Sequence, residues 1–271
     1  MKNLLMSAAV GDIAGSAYEG RSHRTKDYDA VKMFSSRAHF SDDTVLTFAC
    51  AEALIHGLEM GTNIWMCANQ HPHAGFGHKF KQWMTDHYHE PYSSMGNGSA
   101  MRCSAAGWLA TSKEQCIELA TATAAPTHNH PEGIKGAVAT ALCIWYLKNG
   151  ESKDFIRDEL LAEYYPQWAD KTYEEIQPEF CFNSTSPGTV GPAIICFLRS
   201  SDYVDCLKLA IALGGDADTL AAIAGPMAYA YYQEMPDALV YYALKMLPDW
   251  MQKVNDEFDE VCKDLPKSEI L

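Results

Sequence analysis

Apolar positions along the chain recur mostly at intervals of three and four residues, the spacing that gives a helix one buried face. Ser112, followed by Gln115, reads as a capping box ahead of Ile117, Leu119 and Ala120. Pro131 suits a first helical position, and the run from Ile134 to Leu147 stops at Gly150. Ser152 opens another amphipathic stretch through Phe155, Ile156, Leu160 and Leu161. Further helices are predicted at 190–200, 202–213, 218–234, 237–247 and 249–264. Few segments alternate as a half-buried strand does. Ala8, Ala9, Ala105, Ala106, Ala221, Ala222 and Ala224 favour close helix packing. The pattern predicts an all-α fold of roughly ten or more helices, with one compact domain over 1–271.

Three breaks interrupt the helical pattern. Residues 20–40 are polar and mixed in charge, and residues 67–96 are rich in His, Gly, Pro and aromatics; both read as loops. Residues 183–188 could pass for a linker, but the helices on either side have the same character. The Ile-Ala-Gly triplets at 13–15 and 223–225 read as coincidence rather than a repeat. His71, His73, His78, His87 and His89 invite a zinc site, yet their spacing fits no standard four-ligand set and the run holds no cysteine. A solvated loop is the preferred reading.

Composition narrows the functional classes. A net charge of −14 argues against a nucleic-acid binder, because phosphate repulsion needs a basic stripe to offset it. Nine cysteines without a C-x-x-C pair, most inside apolar stretches such as those around Cys50, Cys143 and Cys196, read as reduced thiols and a cytoplasmic address. The apolar start at Met1 is broken by Gly11 and Asp12, so it reads as a mature helix rather than a signal peptide. No apolar run reaches the roughly 20 residues of a membrane span. No heptad pattern suggests an oligomer, and a monomer is expected.

Two acidic clusters stand at helix entrances. Ser41-Asp42-Asp43-Thr44 precedes Val45, Leu46 and Phe48, and Asp216-Ala217-Asp218-Thr219 follows two glycines. Each alone is an ordinary helix start, with a cap and first-turn acids. Together they offer hard oxygen ligands for Mg²⁺, Ca²⁺ or Mn²⁺, and four carboxylates gathered without a cation would repel one another. Helix capping and a metal pair are both open on this chemistry alone.

Four blocks in order resemble the ADP-ribosylglycohydrolase family: Gly11 to Glu19, Ser41 to Thr44, Gly96-Asn97-Gly98-Ser99-Ala100-Met101-Arg102, and Gly215 to Thr219. They span most of the chain and are specific only as a set. Ser41 stands where the family usually has threonine; it keeps the hydroxyl oxygen. The resemblance implies an orthogonal multi-helix domain with two Mg²⁺ ions, Mn²⁺ being the alternative. It implies Ser41, Asp42, Asp43, Asp216, Asp218 and Thr219 as metal ligands, and Glu19, Asp43 and Asp216 as catalytic groups. It also implies a nucleotide site at Gly96, Asn97, Gly98, Ser99, Ala100 and His128, with a helix beginning near Ser99 aimed at the pyrophosphate. Arg102 could add charge there or form a structural salt bridge, and Tyr92 is the candidate to stack on adenine.

The reaction implied is hydrolysis of the bond between ADP-ribose and a protein side chain or small conjugate. Arginine-linked ADP-ribose is favoured by analogy with a bacterial member, and serine-linked or O-acetyl-ADP-ribose are the close alternatives. A non-catalytic ADP-ribose-binding relative is the reading from another class; it would be expected to lose metal ligands, and every carboxylate is present. Pyrophosphate cleavage by a metal-dependent phosphohydrolase is a third.

Overall fold

The computed structural model describes residues 1–20, 22–85 and 90–265; His87 and His89 lie outside the described residues. The order begins with α1 (Met6–Ser16), α2 (Asp42–His56), α3 (Met60–Gln70) and α4 (His78–Thr85). A 3-10 turn, Asn97–Ser99, precedes α5 (Ser104–Leu109), α6 (Lys113–Ala124) and α7 (Pro131–Lys148). Short pieces follow: α8 (Lys153–Phe155), a π-helical turn (Ile156–Leu161), α9 (Ala162–Tyr164), α10 (Pro166–Ala169) and α11 (Tyr173–Ile176). The chain then forms α12 (Ser186–Arg199), α13 (Tyr203–Ala212), α14 (Ala217–Tyr232), α15 (Asp237–Leu244) and α16 (Asp249–Lys263). Among the described residues, the only β-type pairing is an isolated antiparallel bridge between Gly96 and Thr185.

At the centre, α1 packs along α14, and α14 in turn touches α7, α12 and α13. Every residue of α1 is buried, as is α14 from Ala217 to Ala230. A helix apolar on all sides belongs in the middle of a domain, which is where both lie. Their backbones meet at glycine. A Cβ on Gly11 would fall 2.3 Å from Ala221 O, one on Gly15 2.5 Å from Ala217 O, and one on Gly225 2.3 Å from Ser7 O. The Ile-Ala-Gly triplets, read above as coincidence, thus contribute two of the three glycines of a single antiparallel seam. The seam brings the start of α14 against the end of α1, and α2 enters beside both.

Several predicted boundaries shift. The 67–96 stretch is not all loop: α3 runs to Gln70, and α4 buries Phe80 and Trp83. Residues 183–188 are a helix start, with Thr185 accepting from Gly188 N and Pro187 in the first turn of α12. Ser112 caps α6 as predicted, but Gln115 Oε1 accepts from Thr111 N at 2.7 Å instead of closing the box on Ser112. No regular helix begins at Ser99; the 3-10 turn ends there and α5 starts at Ser104. The amide array expected to face a pyrophosphate is therefore a short turn.

Candidate functional site

The first acidic cluster caps α2. Ser41 is extended, and its Oγ accepts from Asp43 N at 3.2 Å, which places Asp42 and Asp43 in the first turn. Asp43 Oδ2 then accepts from Ser41 Oγ (3.3 Å) and from Thr219 Oγ1 (3.4 Å), so the two motifs share one carboxylate. Asp216 stands at the N-terminal boundary of α14 without a capping bond from its side chain, and its Oδ2 accepts from Asn97 Nδ2 at 2.7 Å. Gly214, at φ +81°, supplies the left-handed backbone that turns the chain into this entrance.

Sequence reasoning missed one member. Asp12, wholly buried on α1, accepts through Oδ2 from Ser41 N (2.8 Å), Thr44 N (3.0 Å) and Thr44 Oγ1. Its Oδ1 has no hydrogen-bond partner, and neither has Asp43 Oδ1. The missed signal was a carboxylate inside an otherwise apolar run from Ala8 to Ala14, where burial demands partners.

Carboxylate oxygens of Asp12, Asp43 and Asp218 lie within 4.8 Å of one another, and so do those of Glu19, Asp216 and Asp218. Asp218 belongs to both triads. The inner triad is buried, whereas Glu19 is an exposed residue three positions beyond α1. Desolvation first, then neighbouring carboxylates, raises Asp43 and Asp218 well above the usual range. Asp42 is pushed up to about 8 by the same two causes. Asp216 is pushed up to about 6 by desolvation, with the Asn97 bond opposing. An all-oxygen set with orphaned buried acceptors fits hard divalent cations such as Mg²⁺ or Mn²⁺. No histidine belongs to either triad among the described residues. His71 instead accepts from Trp250 Nε1 at 3.1 Å and packs edge-on against Phe40.

Asp43 and Asp218 of the inner triad, with Glu19 and Asp216 of the outer, line a cavity of about 450 Å³, within the range of small-molecule sites. Its walls include Glu19, Asp42, Gly96, Asn97, Gly98, Tyr92 and His128. His128 is buried, and its Nδ1 bonds Thr127 Oγ1 at 2.7 Å, which directs Nε2 toward the glycine loop. Burial, then Arg102, holds its pKa well below the ordinary value, so the ring is neutral. A Cβ on Gly98 would sit 3.1 Å from His128 Nε2, so glycine keeps that path open. Tyr92 is half-buried, with its ring 6.1 Å from that of His128.

Two residues of the loop do not line the cavity. Ser99 Oγ donates to Gly133 O at 2.7 Å, and Ala100 N donates to Asn97 O at 2.9 Å. Both are scaffold for Gly96, Asn97 and Gly98. Arg102 forms no salt bridge among the described residues. It is wholly buried and donates to Thr123 O, Ala124 O and Thr127 Oγ1, closing the end of α6.

The family model for ADP-ribosylglycohydrolase matches residues 1–268. The chain belongs to the ADP-ribosylglycohydrolase family. Its members include hydrolases of glycosyl bonds, and this chain is an enzyme of that kind. ADP-ribosylhydrolase ARH3 of Xenopus tropicalis is 23% identical over 326 residues, covering 93% of each chain. The Homo sapiens ARH3 is 24% identical over 309 residues, covering 85% of each. ADP-ribosyl-[dinitrogen reductase] glycohydrolase of Rhodospirillum rubrum is 27% identical over 147 residues, covering 52% of this chain and 48% of its own. A solved ADP-ribosylglycohydrolase-related protein complex superposes with a TM-score of 0.74 at 22% identity, covering 96% of each chain, and shows the shared fold.

Proposed function

We propose that this ADP-ribosylglycohydrolase releases ADP-ribose from a conjugate by a reaction that depends on two divalent cations. The observation that carries the reading is the pairing of two carboxylate triads, joined at Asp218, with a cavity whose other wall is the Gly96–Gly98 loop and His128. Asp43, Asp218 and Asp216 would hold the cations, with Ser41, Thr219 and Asp42 around them. Bound there, such cations supply a Lewis acid that acidifies water toward neutral pH and orients a sugar.

The chain's own groups divide the remaining work. Gly98 lets backbone approach an anionic diphosphate, Gly96 being held by Ser94 Oγ and Ser186 Oγ, and neutral His128 faces the same space without adding charge. Tyr92 offers a ring face to a base. Glu19, the exposed acid of the outer triad, can exchange a proton with solvent or with a departing group, the role one of two carboxylates takes in glycoside hydrolysis. Asn97 fixes the rotamer of Asp216.

The arginine-linked conjugate is the first reading of the leaving group. One observation favours the serine-linked or O-acetyl alternative. Arg24 donates to Glu19 O at 3.1 Å and sits 4.3 Å over the ring of Phe182, which lines the cavity beside Glu19. A resident guanidinium there disfavours a second one arriving with the substrate.

The test is to incubate the protein and Mg²⁺ with arginine- and serine-ADP-ribosylated peptides and to read products by mass spectrometry. Intact ADP-ribose supports the proposal and the faster peptide names the linkage. AMP points to pyrophosphate cleavage, and binding without product points to a binding module. Asp216→Ala should abolish turnover while helical content is kept; undiminished activity sinks the metal assignment.

A further inference from the structure

Asp12 carries a function that its position on α1 does not require. It stands mid-helix, wholly buried, with apolar or small residues on both sides. A structural carboxylate in such a place is expected to have both oxygens satisfied, because an ionised group without partners is costly to bury. Here Oδ2 takes every donor: Ser41 N, Thr44 N and Thr44 Oγ1. Oδ1 takes none, and Asp12 belongs to the inner triad with Asp43 and Asp218. Asp43 presents a second orphaned oxygen in the same triad. Two buried acceptors without donors, on two carboxylates of one triad, call for a cation at that triad.

We infer that Asp12 is a positioning residue and further acceptor of the metal centre. One oxygen clamps the Ser41–Thr44 turn, and the other faces the cation held by Asp43 and Asp218. The arrangement makes the capping of α2 and the binding of metal a single event. A cation drawing on Oδ1 steadies the same side chain that holds the turn, and the turn holds Asp43. The inference rests on the metal site of the proposed function, and on no particular substrate.

Asp12→Asn separates the two roles. The amide oxygen can still accept the three donors from the turn, but the negative charge is gone. The experiment is a Mn²⁺ titration of wild-type and variant protein, followed by calorimetry and by the electron paramagnetic resonance of free Mn²⁺. Thermal melts of both metal-free proteins accompany it. The expected result is a loss of about 10- to 100-fold in Mn²⁺ affinity, the scale on which residues behind the ligands act. The metal-free variant is expected to melt higher than wild type, because its amide nitrogen is a donor among carboxylates that offer only acceptors. Unchanged affinity with an unchanged melting temperature overturns the inference and leaves Asp12 as a turn clamp.

If Asp12→Asn does not fold, Thr44→Val tests the same linkage from the other side. It removes one donor to Oδ2 and leaves the carboxylate in place. A severalfold loss of Mn²⁺ affinity is expected, and none would overturn the coupling. Failure of the wider reading looks different: wild-type protein that binds no Mn²⁺ refutes the metal centre itself, whatever the variants do.

Discussion

Asn97 Nδ2 donates to Asp216 Oδ2 at 2.7 Å, joining the glycine loop to the second acidic cluster across a large separation in sequence. The same amide reaches Thr189 Oγ1 at 3.1 Å, so α12 holds it from behind. The loop that would meet a nucleotide and the carboxylate that would meet a cation are thus braced by one side chain.

Asn97→Ala should therefore weaken Mn²⁺ binding by about tenfold or more. ADP-ribose affinity measured without metal should change less, because Gly96 and Gly98 remain. Calorimetry of each ligand separately checks this. Asn97→Asp should be worse than Ala for apo stability, since it sets another carboxylate beside Asp216. Metal affinity that survives Asn97→Ala undiminished would show the brace to be idle.

Gly15→Ala should be far more damaging than its one added methyl suggests. The new Cβ would fall 2.5 Å from Ala217 O and from Asp218 Cα, both main-chain atoms with nowhere to move. Overpacking of this kind costs about 1–3 kcal/mol. Gly57→Ala is the control: at φ +63° with no neighbour within 4 Å, it costs only the left-handed backbone, about 1 kcal/mol. Urea denaturation of the metal-free variants should rank them so, and Gly15→Ala should also lose metal affinity by displacing Asp218. Equal losses would mean that the seam yields.

Metal-free stability should fall as pH rises from about 4 to 8. The folded protein raises Asp216 to about 6 and Asp42 to about 8, with Asp12, Asp43 and Asp218 also raised. Carboxyls with raised pKa favour the folded state while protonated, and that advantage goes as each ionises. Cations bind the ionised forms, so Mg²⁺ affinity should climb over the same interval, with proton release. Differential scanning fluorimetry against pH, with chelator and with Mg²⁺, reads both slopes. A metal-free melting temperature that rises across this range would contradict the raised values.

Gly98→Val should lower affinity for ADP-ribose without lowering metal affinity. Its Cβ alone would stand 3.1 Å from His128 Nε2, and the two methyls beyond it would fill the approach to the loop backbone. Competition by ADP-ribose and by ribose 5-phosphate should separate the diphosphate contribution from the sugar's. Equal loss of both would place the defect elsewhere.

Much of this was legible in the sequence, and the failures have physical causes. Helix starts were readable where a cap or proline marks them, as at Ser112, Pro131 and Ser152. The α4 segment escaped because glycines and histidines on its approach mask a short amphipathic turn around Phe80 and Trp83. Ser41, Asp43, Asp216, Asp218 and Thr219 were legible as two helix entrances, but their meeting depends on α1, whose composition advertises only packing. Asp12 escaped for that reason: a carboxylate in an apolar run signals that it needs partners once buried, but not which elements supply them. For Arg102 the sequence leaves the ligand and a structural salt bridge both open; its Nε and Nη2 go to the carbonyls that end α6 and to Thr127, while Nη1 has no partner and the residue lines the cavity.

The glycine seam between α1 and α14 also separates what can vary from what cannot. Asp12 of α1 and Asp216 and Asp218 at the start of α14 descend from two backbones in direct contact, so their spacing tolerates almost no drift in sequence. The segment that brings Phe182 to the cavity wall is held otherwise. Lys26 Nζ reaches Phe180 O at 2.8 Å, and Gln177 Nε2 reaches Lys26 O at 2.9 Å, linking two surface segments by main-chain acceptors that any residue provides. Side chains such as Arg24 and Phe182 hang from that lacing and can be exchanged without disturbing the hub. A scaffold so divided can acquire a new leaving-group preference by altering its rim alone, and engineering for a different linkage should begin at those two segments.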